Sequence, residues 1–301
     1  MSVEVTSPSY TWWRFSQRFV PVTFLAPAAI IFAVYVIYPI IDSIWLSFHW
    51  WDGLGEKEFI GFENYQRLVT EDHFFLAIKN NILWLLFFML SPIFGLALAL
   101  FLNQEVFGIR LVKSLFFFPF VISLAVIGLV FGWFYEPVNG LFNTILALFG
   151  IQGPAILSDT ELVTYGVIAA GMWPQIAYCM ILYLTGLNSV NPELIEAGRI
   201  DGAKGARMLW HIVLPQLRPA TFIAVVISII GALRSFDIIA IMTKGGPYNH
   251  SSVLAWYMYE QAMFNYSMGY GAAIATVLFL IMDVFIIGFL WWLIKQEREE
   301  G

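Results

Sequence analysis

Six stretches of this chain run without a single Asp, Glu, Lys or Arg for long enough to cross a lipid bilayer: 19–41, 80–104, 114–135, 137–158, 162–192 and 261–282. A hydrocarbon core needs about 20 apolar helical residues to cross it. Inside it, backbone N–H and C=O groups must pair with each other, which leaves helices or closed barrels. A seventh stretch, 219–243, is apolar but interrupted by Arg234 and Asp237. Apolar residues make up 60% of the chain and charged ones 12%, about half the charged share of a soluble domain. A soluble fold would have no polar exterior to draw on, so the expected class is an all-α polytopic membrane protein.

Seven candidates need sorting. The stretch 137–158 contains Pro137, Asn139, Gly140, Asn143, Gly150, Gln152, Gly153 and Pro154, and its continuous apolar core is only 145–149. It is expected to be a loop with a short interfacial helix beginning near Leu141. The remaining six crossings are placed at approximately 22–46, 80–102, 114–135, 163–187, 219–241 and 271–294. Lys and Arg are enriched in cytoplasmic segments. With the amino terminus inside, those segments hold ten: Arg14, Arg18, Arg110, Lys113, Arg199, Lys204, Arg207, Arg218, Lys295 and Arg298. The outer loops hold four, Lys57, Arg67, Lys79 and Lys244. Both termini are therefore expected in the cytoplasm, as a segment 1–21 and a tail 295–301. The first apolar segment is longer than a signal-peptide core and no small-residue cleavage site follows it, so no cleavable signal is expected. Trp50 and Trp51 after the first crossing suit the headgroup layer.

The longest cytoplasmic loop, 188–218, joins the fourth and fifth crossings. Asn191 is a plausible N-cap, Pro192 suits the first helical position, and Glu193 falls in the first turn. A helix starting there should stop at Gly202, and a second should run from about Ala206 to Leu214, before Pro215 and Pro219. Two short helices meeting at a glycine bend serve either as a plain connector or as a docking element for a soluble partner.

Within that loop stand Glu196-Ala197-Gly198, three residues, Gly202, nine residues, and Ile212-x-Leu214-Pro215. The spacing resembles the EAA loop of the permease subunits of binding-protein-dependent ABC importers, whose pattern is Glu-Ala-Ala, x3, Gly, x9, Ile-x-Leu-Pro; only Gly198 departs from it. The resemblance implies the type I (MetI-like) importer fold and a coupling helix that seats in a cleft of a cytoplasmic ATPase. Glu196, Ala197, Gly198, Asp201, Gly202, Ile212, Leu214 and Pro215 are the implied coupling residues. Glu196 would pair with a basic group of the ATPase, a small Ala197/Gly198 face would allow close approach, and Gly202 would permit the bend. Further elements look like those of carbohydrate permeases of the MalF-like kind: Gly61-Phe62-Glu63-Asn64-Tyr65, Phe117-Phe118-Pro119, and Thr243-Lys244-Gly245-Gly246-Pro247. Two glycines and a proline also make an ordinary tight turn.

The same resemblance implies a sugar held midway through the membrane by the two helices flanking the loop. Counting from the matched motifs places the corresponding positions at Gly171, Pro174, Gln175 and Tyr178 in the fourth crossing, with Trp173 nearby and directed either there or to a neighbouring helix. In the fifth they fall at Ser228, Gly231, Ala232 and Ser235. Gln175, Tyr178 and Ser235 can offer hydrogen bonds or an aromatic face, whereas Gly231 and Ala232 leave room. Arg234 and Asp237 follow from physics instead. Ionisable groups in a spanning segment are costly and usually face a cavity or each other. At i, i+3 on one helix they could pair, line a pathway that binds a polyol or anion, pair with another subunit, or snorkel outward. Asp42 and Asp283 are expected to be structural, and Cys179, the lone cysteine, to be packed.

No phosphate-binding loop, catalytic nucleophile or metal-ligand cluster is present in the sequence, so the chain is not expected to be an enzyme. The resemblance implies that ATP and Mg sit on a MalK-like ATPase dimer. It also implies a homologous second permease, an extracytoplasmic solute-binding protein, a small carbohydrate substrate and surrounding lipid as partners, with no nucleic acid. The location would be a bacterial or archaeal inner membrane. A permease for glycerol-3-phosphate-like solutes is the alternative. Two rival classes are a secondary transporter using Arg234, Asp237 or Asp283 for ion coupling, and a non-transporting membrane scaffold.

Overall fold

The structure, a computed structural model, describes residues 22–104 and 106–300. The expected segment 1–21, with Arg14 and Arg18, and Gly301 of the tail lie outside the described residues. The chain opens with helix α1 (Val22–Leu46), a two-stranded hairpin of β1 (His49–Trp50) and β2 (Glu58–Phe59), and the short α2 (Glu63–Leu68). The strands are antiparallel, with His49 opposite Phe59. Helices α3 (Asp72–Phe88) and α4 (Ser91–Leu102) form one apolar rod of 31 residues, roughly 46 Å long at 1.5 Å per residue. Helices α5 (Ile109–Val121) and α6 (Leu124–Phe134) meet at 99°. After the short α7 (Leu141–Leu148) come the 26-residue α8 (Val163–Asn188), α9 (Pro192–Ile200) and α10 (206–216). The chain returns through α11 (Arg218–Leu233) and α12 (Asp237–Met242), then α13 (Leu254–Tyr259) and the long α14 (Met268–Glu300).

Five of these elements are long and apolar enough to cross a membrane: α1, α3–α4, α8, α11–α12 and α14. The bent pair α5–α6 makes a sixth if it counts as one span. The second crossing begins at Asp72 rather than residue 80, because helix continues past the apolar run and through Lys79. The third and fifth are not the continuous rods the sequence suggests. Helix α5 carries Pro119 and ends at Ile122; Ser123, in extended backbone, then caps α6 by accepting from the Val126 N–H. The fifth breaks at 234–236. Helix α7 starts at Leu141, while α13 has no counterpart in the sequence reading.

Helix α8 is the central post, packed against α4, α5 and α11. At the α4 contact a Cβ on Gly95 would lie 2.5 Å from the Cys179 Cβ and 2.8 Å from the Met180 backbone nitrogen. The two backbones touch, as small residues allow where helices associate inside lipid. Cys179 is fully buried there, beside Ala99, Leu102, Met180 and Tyr183. A second cluster joins Trp84 and Phe88 of α3 to Val167 and Ile168 of α8 and Leu233 of α11. Helix α1, by contrast, has no fully buried residue in its apolar span; its second half leans on α14 and the rest is exposed, as expected of a helix facing lipid or another subunit.

At the end of the bundle that carries the hairpin, polar side chains replace helical continuity. Asn64 Nδ2 donates to the carbonyls of Ser47 (2.8 Å) and His49 (3.0 Å), and the Tyr65 hydroxyl lies 2.6 Å from Ser47 Oγ. That is what Asn64-Tyr65 does in the Gly61–Tyr65 motif: it ties α2 to the end of α1. Thr243–Pro247 is a packed turn. Gly245 has φ +79°, and a Cβ on it would lie 2.6 Å from Trp256 Nε1; the Gly246–Pro247 bond is cis. Asn80 Nδ2 and Thr164 Oγ1 each donate to the His250 carbonyl at 2.7 Å, binding that segment to the middle of α3 and the start of α8.

Candidate functional site

The break in the fifth crossing organises a cavity of about 380 Å3. Arg234 N–H still bonds to the Ile230 carbonyl, and the Ser235 hydroxyl donates to the Gly231 carbonyl at 2.9 Å, but helix resumes only at Asp237. Non-helical backbone at membrane depth is tolerated where it is buried in protein or lines a water-filled space, and the 234–236 segment meets that condition. The floor and one wall come from α8: Gly171, Pro174, Gln175 and Tyr178, at the i, i+3, i+4, i+7 spacing of one helix face. Gly231, Arg234, Ser235 and Asp237 face them. Trp84 and Phe88 from α3, and Phe120 from α5, complete an aromatic lining.

Small residues make the space. A Cβ on Gly171 would come within 2.8 Å of the Trp84 ring, and one on Gly231 within 3.4 Å of Gln175 Oε1. Gln175 is positioned by a chain of hydrogen bonds: its Nε2 donates to Ser228 Oγ at 2.9 Å, and Ser228 donates to the Ala224 carbonyl at 2.8 Å. Its Oε1 is left as an acceptor. The Tyr178 and Phe120 rings lie 4.9 Å apart, tilted by 31°. Arg234 and Asp237 are both exposed, and neither has an ion-pair partner among the described residues. The pair they could make on a continuous helix is not formed, because the break separates them onto α11's end and α12's start.

Three sequence-proposed positions fall outside the cavity lining. Ser228 is fully buried behind Gln175, Ala232 is fully buried in the core, and Trp173 stands on the other side of α8 against Phe131 (5.7 Å). Counting along motifs puts residues at the right depth but leaves their rotation to the packing. Trp84, Phe88, Phe120, Ile122 and Leu124 line the cavity without having been singled out. They belong to unremarkable apolar runs, and only the bend between α5 and α6 brings Phe120, Ile122 and Leu124 inward. Asp42 and Asp283 are half-buried and lie away from it.

The loop 188–218 lies at the opposite end of α8 from the hairpin. Asn191 Oδ1 accepts from the Glu193 N–H at 2.9 Å, and Pro192 opens α9. The helix ends at Asp201, and Gly202 and Gly205, with φ +82° and +52°, turn the chain into α10. Leu209–Val213 within α10 is π-helical. Glu196, Ala197, Asp201, Gly202 and Pro215 are exposed, whereas Ile212 and Leu214 are half-buried. Gly198 does not share an outward face with Ala197. It is buried, and a Cβ there would lie 2.1 Å from Ile212 Cδ1, so Gly198 is where α9 and α10 touch. Ile200 and Trp210 are strongly exposed beside it.

Residues 91–295 match the family described as the inner-membrane component of binding-protein-dependent transport systems. The chain belongs to that family. Its relatives include two ABC-importer permeases of comparable length. The sulfoquinovosyl glycerol transport system permease protein SmoG of Agrobacterium fabrum is 31% identical over 91% of this chain and 90% of its own. The arabinooligosaccharides transport system permease protein AraP of Bacillus subtilis is 33% identical over 90% and 88%. In fold, the permease resembles a chain of a bacterial ABC transporter involved in alginate import, with a TM-score of 0.80 at 23% identity over 94% of this chain and 98% of that one. The permease is thus a multi-span inner-membrane protein of the MetI-like class.

Proposed function

We propose that this permease carries a sugar, or a related polyol or glycoside, into the cytoplasm by alternating access, driven by a separate ATPase dimer. The observation that carries the proposal is that the cavity's facing walls come from α8 and α11, the two helices that the 188–218 loop joins. A lever tied at both ends to the walls of a cavity can open one side of it and close the other. The lining suits a sugar: aromatic faces pack against its C–H surfaces, while Gln175, Tyr178 and Ser235 supply hydrogen-bonding groups. Its volume lies within the range of about 300–1,000 Å3 typical of small-molecule sites. The named substrates of SmoG and AraP support the class.

In this reading α5 and α6 count as one bent crossing, giving six with both termini cytoplasmic, in line with the ten-to-four bias of positive charge. Loop 188–218 then meets the ATPase through Glu196, with Ile200 and Trp210 as apolar contacts. A homologous second permease covers the exposed side of the cavity, and an external solute-binding protein delivers substrate to the hairpin end. ATP and Mg bind on the ATPase alone. The test is the double variant Glu196→Ala/Gly202→Ala in the complete importer. Loss of ATPase co-purification, or of transport by proteoliposomes with the fold intact, is expected; unchanged association and uptake would overturn the proposal.

A further inference from the structure

We propose that Arg234 and Asp237 act together as a specificity filter that admits neutral polyhydroxylated substrates and disfavours those bearing a carboxylate, phosphate or sulfonate. The inference rests on the sugar-permease proposal and deepens it.

Both side chains line the one cavity between α8 and α11, and neither is neutralised by another described residue. Two opposite charges near a membrane-buried cavity would ordinarily pair with each other. Here the break holds them on separate elements, Arg234 capping the end of α11 and Asp237 opening α12. Each therefore keeps its hydrogen-bonding capacity for something else. A guanidinium offers only donors and an ionised carboxylate only acceptors. A sugar hydroxyl is both at once, so adjacent hydroxyls can accept from Arg234 while donating to Asp237.

The other polar groups lean the same way. Gln175 spends its Nε2 on Ser228 and presents Oε1; Ser235 spends its proton on the Gly231 carbonyl and presents lone pairs. Apart from Arg234, the Tyr178 hydroxyl and the Trp84 indole N–H, the cavity's polar side chains accept. Hydroxyl protons satisfy such a lining; an anion bound at Arg234 would stand beside Asp237 and among further acceptors, where like-charge proximity and unpaired lone pairs both oppose it.

The test uses the complete importer in nanodiscs without nucleotide. Quenching of tryptophan fluorescence, with Trp84 in the cavity wall, reports binding of matched pairs of neutral and acidic sugars: maltose with maltobionate, cellobiose with cellobionate, galactose with galacturonate. The wild type is expected to favour the neutral member of whichever pair binds. Asp237→Asn should shift that ratio toward the acidic member by about tenfold, equivalent to about 1.4 kcal/mol, whereas Arg234→Gln should weaken both members without reversing the order. A wild type that favours the acidic member, or a ratio unmoved by Asp237→Asn, would overturn the inference while leaving the sugar proposal standing. So would loss of subunit assembly with the ratio unchanged, which would make the pair an inter-subunit contact. If the assembled importer binds none of these sugars, the sugar proposal itself fails and the filter falls with it.

Discussion

Glu71 shows how much one residue can hold together in this chain. It stands between α2 and α3, where its Oε1 accepts from Arg67 Nε at 2.7 Å and its Oε2 from the Tyr270 hydroxyl at 2.9 Å and from the Tyr257 hydroxyl. The neighbouring α2 and the sequence-distant α13 and α14 thereby share one carboxylate, and the Arg67 guanidinium also lies 4.0 Å from the Tyr270 ring centre. Burial works to raise the Glu71 pKa, but hydrogen bonds from Tyr257, Arg67 and Tyr270 outweigh it and hold the carboxyl below its ordinary 4.5. The same contacts and burial push the Tyr257 hydroxyl well up. Because the folded value is the lower one, ionised Glu71 stabilises the fold above about pH 4.5, and the contribution fades as acid titrates it through that lower value. Glu71→Gln is expected to cost about 2 kcal/mol at neutral pH, no more because Arg67 is half exposed. Thermal unfolding of the solubilised protein should show a stability gap between wild type and variant that closes on acidification; a gap constant with pH would contradict this role. The tyrosine contacts were not legible in the sequence, where Glu71 reads as one more acidic loop residue, because Tyr257 and Tyr270 lie 186 and 199 positions away.

Among the elements, those whose shape is set by local chemistry were readable and those set by packing were not. Asn191, Pro192 and Gly202 announce α9 and its end, since a cap, a proline and a left-handed turn act within a few residues. The run of Gly and Pro across 137–158 likewise ruled out a crossing and left a short helix near Leu141. The break at 234–236 carries no comparable signal: Ser235 is a tolerable helical residue, and the chain leaves the helix because α12 packs against α6, with Gly128 giving room for Ile241. Helix α3 runs back to Asp72 because charge marks the edge of the hydrocarbon, not the end of a helix. The loop 188–218 has its own brace. Gln216 donates to the Ile212 carbonyl and accepts from the Asn191 N–H, both at 2.9 Å, tying the end of α10 to the start of α9. Gln216→Ala should let the two helices move independently, so that ATP continues to be hydrolysed while sugar delivered per ATP falls several-fold in proteoliposomes. An unchanged ratio would show that the brace does not transmit force.

Across the whole molecule, the cavity and the 188–218 loop share two helices. The connection runs through α8 and α11, which supply Gly171, Pro174, Gln175, Tyr178 and Gly231 to the cavity and end in the loop that carries Glu196 and Gly202. Counting from the matched motifs pointed to the α8 and α11 residues that line the cavity, but nothing in the sequence pointed to the aromatic wall that α3 and the bent α5–α6 pair close around it. In the proposed mechanism, the position of the 188–218 loop decides which side of the membrane the cavity faces. Tyr178→Cys, in a chain whose buried Cys179 is replaced by Ala, places a thiol on the cavity wall. Its rate of alkylation by a membrane-impermeant maleimide added outside would be measured in the reconstituted importer, nucleotide-free and then trapped with ATP and vanadate. Slow labelling is expected without nucleotide, labelling at least tenfold faster in the trapped state, and no difference when Glu196→Ala and Gly202→Ala are added. Equal labelling in both states with the loop intact would overturn the mechanism.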